Sequence, residues 1–206
     1  YDVGFVRRGD TVAQVTVIPA GPAALEDGAF RALVIRAGQR LAELDELPIL
    51  VGHSMGGAVA MVYALDHPEK VKASVLVGTG ARMRVAGETL KTVKNNYHLF
   101  CDVAPSRMIA PGSPEEIRKE FRENLLDTSP EVCYWDLVAC DEFDLMDRVH
   151  EIKSPTCIIS ADLDILTPPK YGEHLRDSIA GSSFHLINGS GHFMMLERPL
   201  EFNRIL

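Results

Sequence analysis

A serine hydroxyl is a weak nucleophile until a base takes its proton, and it must protrude where a substrate carbonyl can reach it. The segment Val51-Gly52-His53-Ser54-Met55-Gly56-Gly57 has the pattern that makes a serine protrude. An apolar run leads into it, and glycines on both sides leave room for a strained serine backbone in a tight turn from strand to helix. The hydroxyl of Ser54 then stands at the carboxyl end of the strand, and the amide of Met55 points into the oxyanion site. A G-x-S-x-G string also occurs in turns that do no chemistry. Here a buried strand precedes it, and the small residues Gly57, Ala58 and Ala60 follow it, which suits a helix packed closely on a sheet.

Such a serine needs a base and an acid to orient that base. Asp162 and Asp164, in Ser160-Ala161-Asp162-Leu163-Asp164-Ile165-Leu166-Thr167-Pro168, follow a second apolar run, although aspartates after strands are commonly turn or cap residues. His192, in Gly189-Ser190-Gly191-His192-Phe193, is the one histidine of seven in a Gly-rich loop after a strand. Serine, aspartate and histidine therefore occur in that order, each just beyond the end of a strand. His53 packs beside the nucleophile. Together with Trp135 and Phe193 it is a candidate to touch substrate.

Periodicity supplies the elements that would carry these loops. Residues 12–18 read as a strand ended by Pro19-Ala20-Gly21-Pro22, and 29–44 as an amphipathic helix with Phe30, Leu33, Val34, Ala37, Leu41 and Leu44 on one face. Strands are expected at 49–51, 71–77, 156–160 and 183–187. Helices are expected at about 57–66, 168–179 and from Pro199 onward. A strand, a helix and a strand in so short a span call for a parallel crossover. Residues 80–150 are helical and strand-poor, with helix starts at Ser113-Pro114-Glu115-Glu116, which has capping-box spacing, and at Ser129-Pro130-Glu131. An α/β core of residues 1–79 and 151–206, interrupted by a helical cap over 80–150, accounts for the whole pattern. Met83, Tyr97, Phe100, Met108, Phe121, Tyr134, Trp135, Phe143 and Met146 are the cap residues able to line a pocket, and Arg82 is the basic residue best placed to meet a substrate carboxylate.

Composition narrows the partners. At 46% hydrophobic and 24% charged, the 206 residues suit one globular domain with an insertion. A net charge of −8 with scattered basic residues argues against nucleic acid and anionic membranes. No apolar run approaches a membrane span, and the first residues lack a signal-peptide pattern. Cys101, Cys133, Cys140 and Cys157 are too widely spaced to suggest a metal site and read as free thiols in a reducing cytoplasm. No cofactor is called for, and oligomeric state leaves no trace in the sequence.

The chain resembles the α/β-hydrolase superfamily through G-H-S-M-G-G, the D-I-L-T-P after a strand, and G-S-G-H-F-M-M-L-E-R-P, which together reach across residues 49–206. The resemblance assigns the acid to Asp164 and leaves Asp162 a solvated turn residue. It makes Glu197-Arg198-Pro199 the structural start of the last helix, and it implies a mostly parallel sheet flanked by helices with an inserted cap. The implied activity is cleavage of a carboxylic ester or related small acyl substrate through an acyl-enzyme. The same triad would also serve a lactonase or a carbon-carbon bond hydrolase. The chain departs from the pattern in having no His-Gly motif after an early strand, where the family has its second oxyanion donor. One helix, rather than a further strand and helix, separates residues 12–18 from the nucleophile strand. With Tyr1 rather than Met at the start, this implies an N-terminal portion that is missing or rebuilt, with Pro19-Ala20-Gly21 near the usual loop. Losing one oxyanion donor costs roughly a hundredfold in turnover, so the competing reading is a barely catalytic or ligand-sensing module on the same fold.

Overall fold

The computed structural model describes the backbone of residues 2–4, 12–14 and 16–18, the helical residues Ile35 and Gln39, and all of residues 47–206. Strands β2 (Val12–Gln14), β4 (Ile49–His53), β5 (Ala73–Val77), β6 (Thr156–Ala161) and β7 (Ser183–Ile187) form a parallel sheet in that order. Strands β1 (Asp2–Gly4) and β3 (Thr16–Ile18) pair antiparallel, apart from it. The single strand expected over 12–18 is therefore two, because Val12–Gln14 lies along β4 while Thr16–Ile18 turns to β1. Apart from Ile35 and Gln39, the amphipathic helix expected at 29–44 lies outside the described residues.

Successive side chains of a strand face opposite sides of the sheet, and both sides here are covered. On one, Leu50, Leu76 and Ile158 pack with Leu175 and Ile179 and with Ala58, Val59 and Met61 of helix α1 (Met55–Asp66). Helix α1 is buried around most of its girth, as its nearly uniform apolar sequence requires. On the other side, Val77, Ile159 and Ile187 meet Met194 and Phe202.

Between β5 and β6 the chain forms α2 (Gly87–Asn95), α3 (Tyr97–Met108), α4 (Glu115–Asp127) and α5 (Pro130–Glu142). These helices hold an apolar cluster of their own around Val93, Phe100, Cys101, Ala104 and Cys133. The stretch leaves and rejoins the sheet through one stem, where the Leu145 amide donates to Ala81 O at 2.7 Å. Arg84 donates to Asp141 O at 2.6 Å and to Asp144 at 3.2 Å, and Arg82 lies 3.6 Å from the same carboxylate. The Met146 amide, ahead of the two arginines, holds Asp144 below the usual carboxylate range. Arg82, expected to face a substrate carboxylate, instead lies in this stem.

Beyond β6, α6 (Pro169–Ser178) returns the chain to β7, and α7 (Met194–Glu197) and α8 (Pro199–Ile205) follow. The expected capping box at Ser113 does not form. Pro114 occupies the N-cap of α4, and the Ser113 hydroxyl is turned elsewhere. No helix among the described residues is long and apolar enough to cross a membrane.

Candidate active site

Ser54 directly follows β4 and caps α1 with φ 53° and ψ −119°, the single non-glycine residue of positive φ among the described residues. Holding a residue with a Cβ there costs roughly 1–3 kcal/mol and persists because the surroundings fix it. They do so through the backbone. The Ser54 amide donates to Val77 O at 2.9 Å, and its carbonyl accepts from the Gly57 amide and from Thr79 Oγ1, each at 2.9 Å. Glycine is required at 52 because a Cβ there would run into the carbonyl of Gly56, and at 57 because one would come within 2.8 Å of Thr79 Cβ. Met55 begins the helix, so its N–H has no carbonyl one turn back and is free to meet an oxyanion.

Asp164 and His192 meet across two loops. Nδ1 of His192 donates to Oδ2 of Asp164 at 2.7 Å, and both side chains are almost wholly buried. Oδ2 also accepts from Thr167 Oγ1 at 2.7 Å, while Oδ1 takes the amides of Leu166 at 2.9 Å and Thr167 at 3.0 Å. Burial alone would push the Asp164 pKa up. The hydrogen bond and charge of His192, together with the Thr167 donors, outweigh it and hold the carboxylate below its usual range. The imidazole of His192 thus meets Asp164 and not Asp162. Asp162 is exposed, yet it takes the amides of Gly189 at 2.7 Å and Ser190 at 3.3 Å, so it ties the acid loop to the histidine loop rather than standing in solvent.

The contact between the serine turn and the histidine loop runs through His53. Its Nε2 donates to His192 O at 2.8 Å, and its ring centroid lies 4.6 Å from that of His192 and 5.3 Å from that of Phe193. Burial, reinforced by the neighbouring His192, pulls the His53 pKa down to about 3, so the ring is neutral at physiological pH. No hydrogen bond among the described residues joins the Ser54 hydroxyl to the imidazole; such bonds commonly tighten only when substrate is bound.

The other expected residues divide. Phe193 lies between His53 and Phe121 of α4, 4.8 Å from the latter, and is placed where α4 overlies the site. Trp135 is half-buried against the main core, with its ring edge-on to Tyr134. Met83, Phe100 and Phe143 are buried, and Tyr97, Met108, Phe121 and Tyr134 pack on the cluster among the helices. Burial pushes all four thiols up, Cys133 and Cys140 to about 12, which leaves no cysteine to rival Ser54 as a nucleophile. Among the described residues no group of three His, Cys, Asp or Glu side chains is arranged to hold a metal ion. Pro19-Ala20-Gly21, expected near a second oxyanion donor, lies outside the described residues. Sequence reasoning also missed Glu197, which it took for a helix start. Its carboxylate is buried and accepts from the amides on either side of His192.

Comparison with known proteins agrees with this architecture. A family model described as serine aminopeptidase, S33, matches residues 31–199. A solved thermophilic esterase is 37% identical, with a TM-score of 0.78 over 85% of this chain and 70% of its own. The enol-lactonase from Burkholderia xenovorans LB400 is 23% identical with a TM-score of 0.80 over 90% of this chain and 72% of its own, which speaks to the fold. The 2-hydroxy-6-oxo-6-phenylhexa-2,4-dienoate hydrolase of Comamonas testosteroni is 26% identical over 76% of this chain, which spans 60% of that relative's length. With most of its residues matched by the family model and its parallel sheet shared with these enzymes, the chain belongs to the α/β-hydrolase superfamily, in the family described as serine aminopeptidase, S33.

Proposed function

We propose that this chain is a serine hydrolase that cleaves a carboxylic ester, with residues 80–150 acting as a cap over the core of 1–79 and 151–206. The observation that carries the reading is the buried 2.7 Å hydrogen bond between Asp164 and His192, beside a serine turn whose backbone is fully tied down. His192 takes the proton of Ser54 Oγ as that oxygen bonds to the acyl carbon. The Met55 N–H stabilises the oxyanion, and Asp164 holds the imidazole tautomer and the imidazolium that forms. Collapse expels the alcohol, which leaves with the proton from His192. Water then attacks the acyl-serine, giving its proton to His192, and the acid departs as Ser54 is regenerated.

Among the described residues Arg82 and Arg84 lie against Asp144 and Arg118 donates to Ser113 O and Ala110 O, so the pairing of these three favours an ester without a negative charge near the scissile bond over a dienoate. The 37% identity to an esterase supports the same choice. Lactones and dienoates, the substrate types named for the other two relatives, are the competing substrates. Four free thiols suit a reducing cytoplasm.

A fluorophosphonate probe tests the reading. Ser54 of the wild type should be labelled, and Ser54→Ala and His192→Ala should not be. A wild type that resists the probe, or a Ser54→Ala variant labelled equally well, refutes the assignment. On labelled protein, kcat/KM across short acyl esters, lactones and dienoates selects the substrate class.

A further inference from the structure

The loop that carries His192 has glycine at 189 and 191, so little in its own backbone holds the imidazole in place. Glu197, a residue only 5% exposed, supplies a large part of the fixing. One of its carboxylate oxygens takes the Gly191 amide at 3.1 Å and the Phe193 amide at 3.2 Å; the other takes Gly191 again at 3.0 Å. The amides of the residues immediately before and after His192 are thus held by one carboxylate.

The same carboxylate reaches into the helical insertion. Its second oxygen accepts from the Ala110 amide at 2.8 Å and the Ser113 hydroxyl at 2.6 Å, both in the link between α3 and α4. From the opposite side Arg118 of α4 donates to the carbonyls of those two residues, Ser113 O at 3.0 Å and Ala110 O. The link is therefore polarised between a buried anion and a cation, an arrangement in which hydrogen bonds strengthen one another. Met108 O receives the His192 amide at 2.7 Å, and a Cβ at Gly191 would come within 2.7 Å of that oxygen. The link and the histidine loop are in close contact along this line.

We propose that Glu197 is a positioning residue for His192 and that, by binding Ala110 and Ser113 as well, it makes the imidazole's placement depend on the seating of the helical insertion. The inference rests on the hydrolase reading of Ser54 and His192. A carboxylate suits the task because all its partners are donors. An amide would set its NH2 against at least one of them.

The test measures the rate constant for fluorophosphonate labelling of Ser54, together with kcat and KM on a p-nitrophenyl ester, for wild type, Glu197→Gln, Glu197→Asp and Ser113→Ala, with thermal melting as the check on folding. Glu197→Gln should lower the labelling rate and kcat at least tenfold, with KM changed less than threefold. Glu197→Asp should recover part of the loss. Ser113→Ala, which removes only the insertion-side hydroxyl, should lower kcat about threefold. If Glu197→Gln does not fold, Ser113→Ala and Arg118→Met decide, and wild-type kcat in both overturns the proposal. So does folded Glu197→Gln with wild-type labelling, or a loss confined to KM. If the wild type itself is not labelled, the hydrolase reading fails first.

Discussion

Replacing His53 by glutamine should remove a pH dependence of stability that the fold imposes. His53 is partly buried, donates to His192 O at 2.8 Å, and has its pKa pulled from 6.5 down to about 3 by burial and by the facing His192, with that hydrogen bond and then Asp164 acting in the other direction. A native pKa below the unfolded one means that the unfolded chain binds the extra proton between about pH 3 and 6.5. Stability from the neutral ring is thus complete above pH 6.5 and lost as pH falls toward 3. Each pH unit inside that window is worth about 1.4 kcal/mol. Between pH 7.5 and 5.0 about 1.5 units of the window are crossed, a ceiling of about 2 kcal/mol. The partly open edge of the ring reduces this to about 1 kcal/mol.

Glutamine can still donate to the His192 carbonyl but does not titrate. Urea unfolding at pH 7.5, 6.5, 5.5 and 5.0, followed by the fluorescence of Trp135, the chain's one tryptophan, gives the required stabilities. The stability gap between wild type and His53→Gln should narrow by about 1 kcal/mol between pH 7.5 and 5.0, which at about 2 kcal/mol per molar urea is a midpoint change of about 0.5 M. A gap that stays constant or widens on acidification would show that the ring is not held neutral in the folded protein.

Ser54→Gly should abolish labelling yet raise stability by about 1 kcal/mol in thermal melts, since glycine adopts φ 53° without the Cβ penalty. Gly52→Ala should displace the Gly56 carbonyl and lower both the melting temperature and the labelling rate, with a loss of at least about 2 kcal/mol. Asp164→Asn should leave the fold nearly intact and lower kcat by on the order of 10³–10⁴, because an amide at this position favours the wrong imidazole tautomer. The lowered Asp164 pKa adds stability above the unfolded carboxylate's value that is lost as pH falls through the native one. Acid unfolding of Asp164→Asn should therefore be less steep below pH 4 than that of the wild type.

The parts of the fold that could be read from sequence are those whose physics is local. Buried parallel strands appear as apolar runs, and the loops after β4, β6 and β7 carry the glycines and acids that tight turns need. What escaped was set by distant partners. The run 12–18 alternates like one strand, and nothing within it tells which neighbour each half pairs with. Ser113 has the spacing of a capping box, but its hydroxyl goes to a carboxylate 84 positions away. Asp162 looked like a solvated turn residue because its partners, Gly189 and Ser190, come from another loop. Arg82 looked available for substrate because its stem partner, Asp144, enters from the far end of the helical stretch.

The strand order explains why the histidine loop needs so many ties. Ser54 leaves β4 while Asp164 leaves β6 and His192 follows β7, so the imidazole must reach back over β6 and β5 to approach the nucleophile. Gly78, just past β5 with φ +50°, lies on that path. A Cβ there would sit 3.2 Å from Met194 Cε, 3.4 Å from His53 Cδ2 and 3.5 Å from Asp164 Oδ2, so the approach is already filled by side chains from α7, β4 and the loop after β6. A loop spanning two strands with glycines at 189 and 191 has many conformations to lose. It is fixed by bonds at successive points: Asp162 on Gly189 and Ser190, Glu197 on Gly191 and Phe193, and Met108 O and His53 on the peptide groups of His192 itself. The Asp164 bond by itself fixes only where Nδ1 lies. The direction in which Nε2 points also depends on the backbone anchors, and one of these comes from the end of α3, so the geometry of the proposed triad is shared between the sheet and the helical insertion.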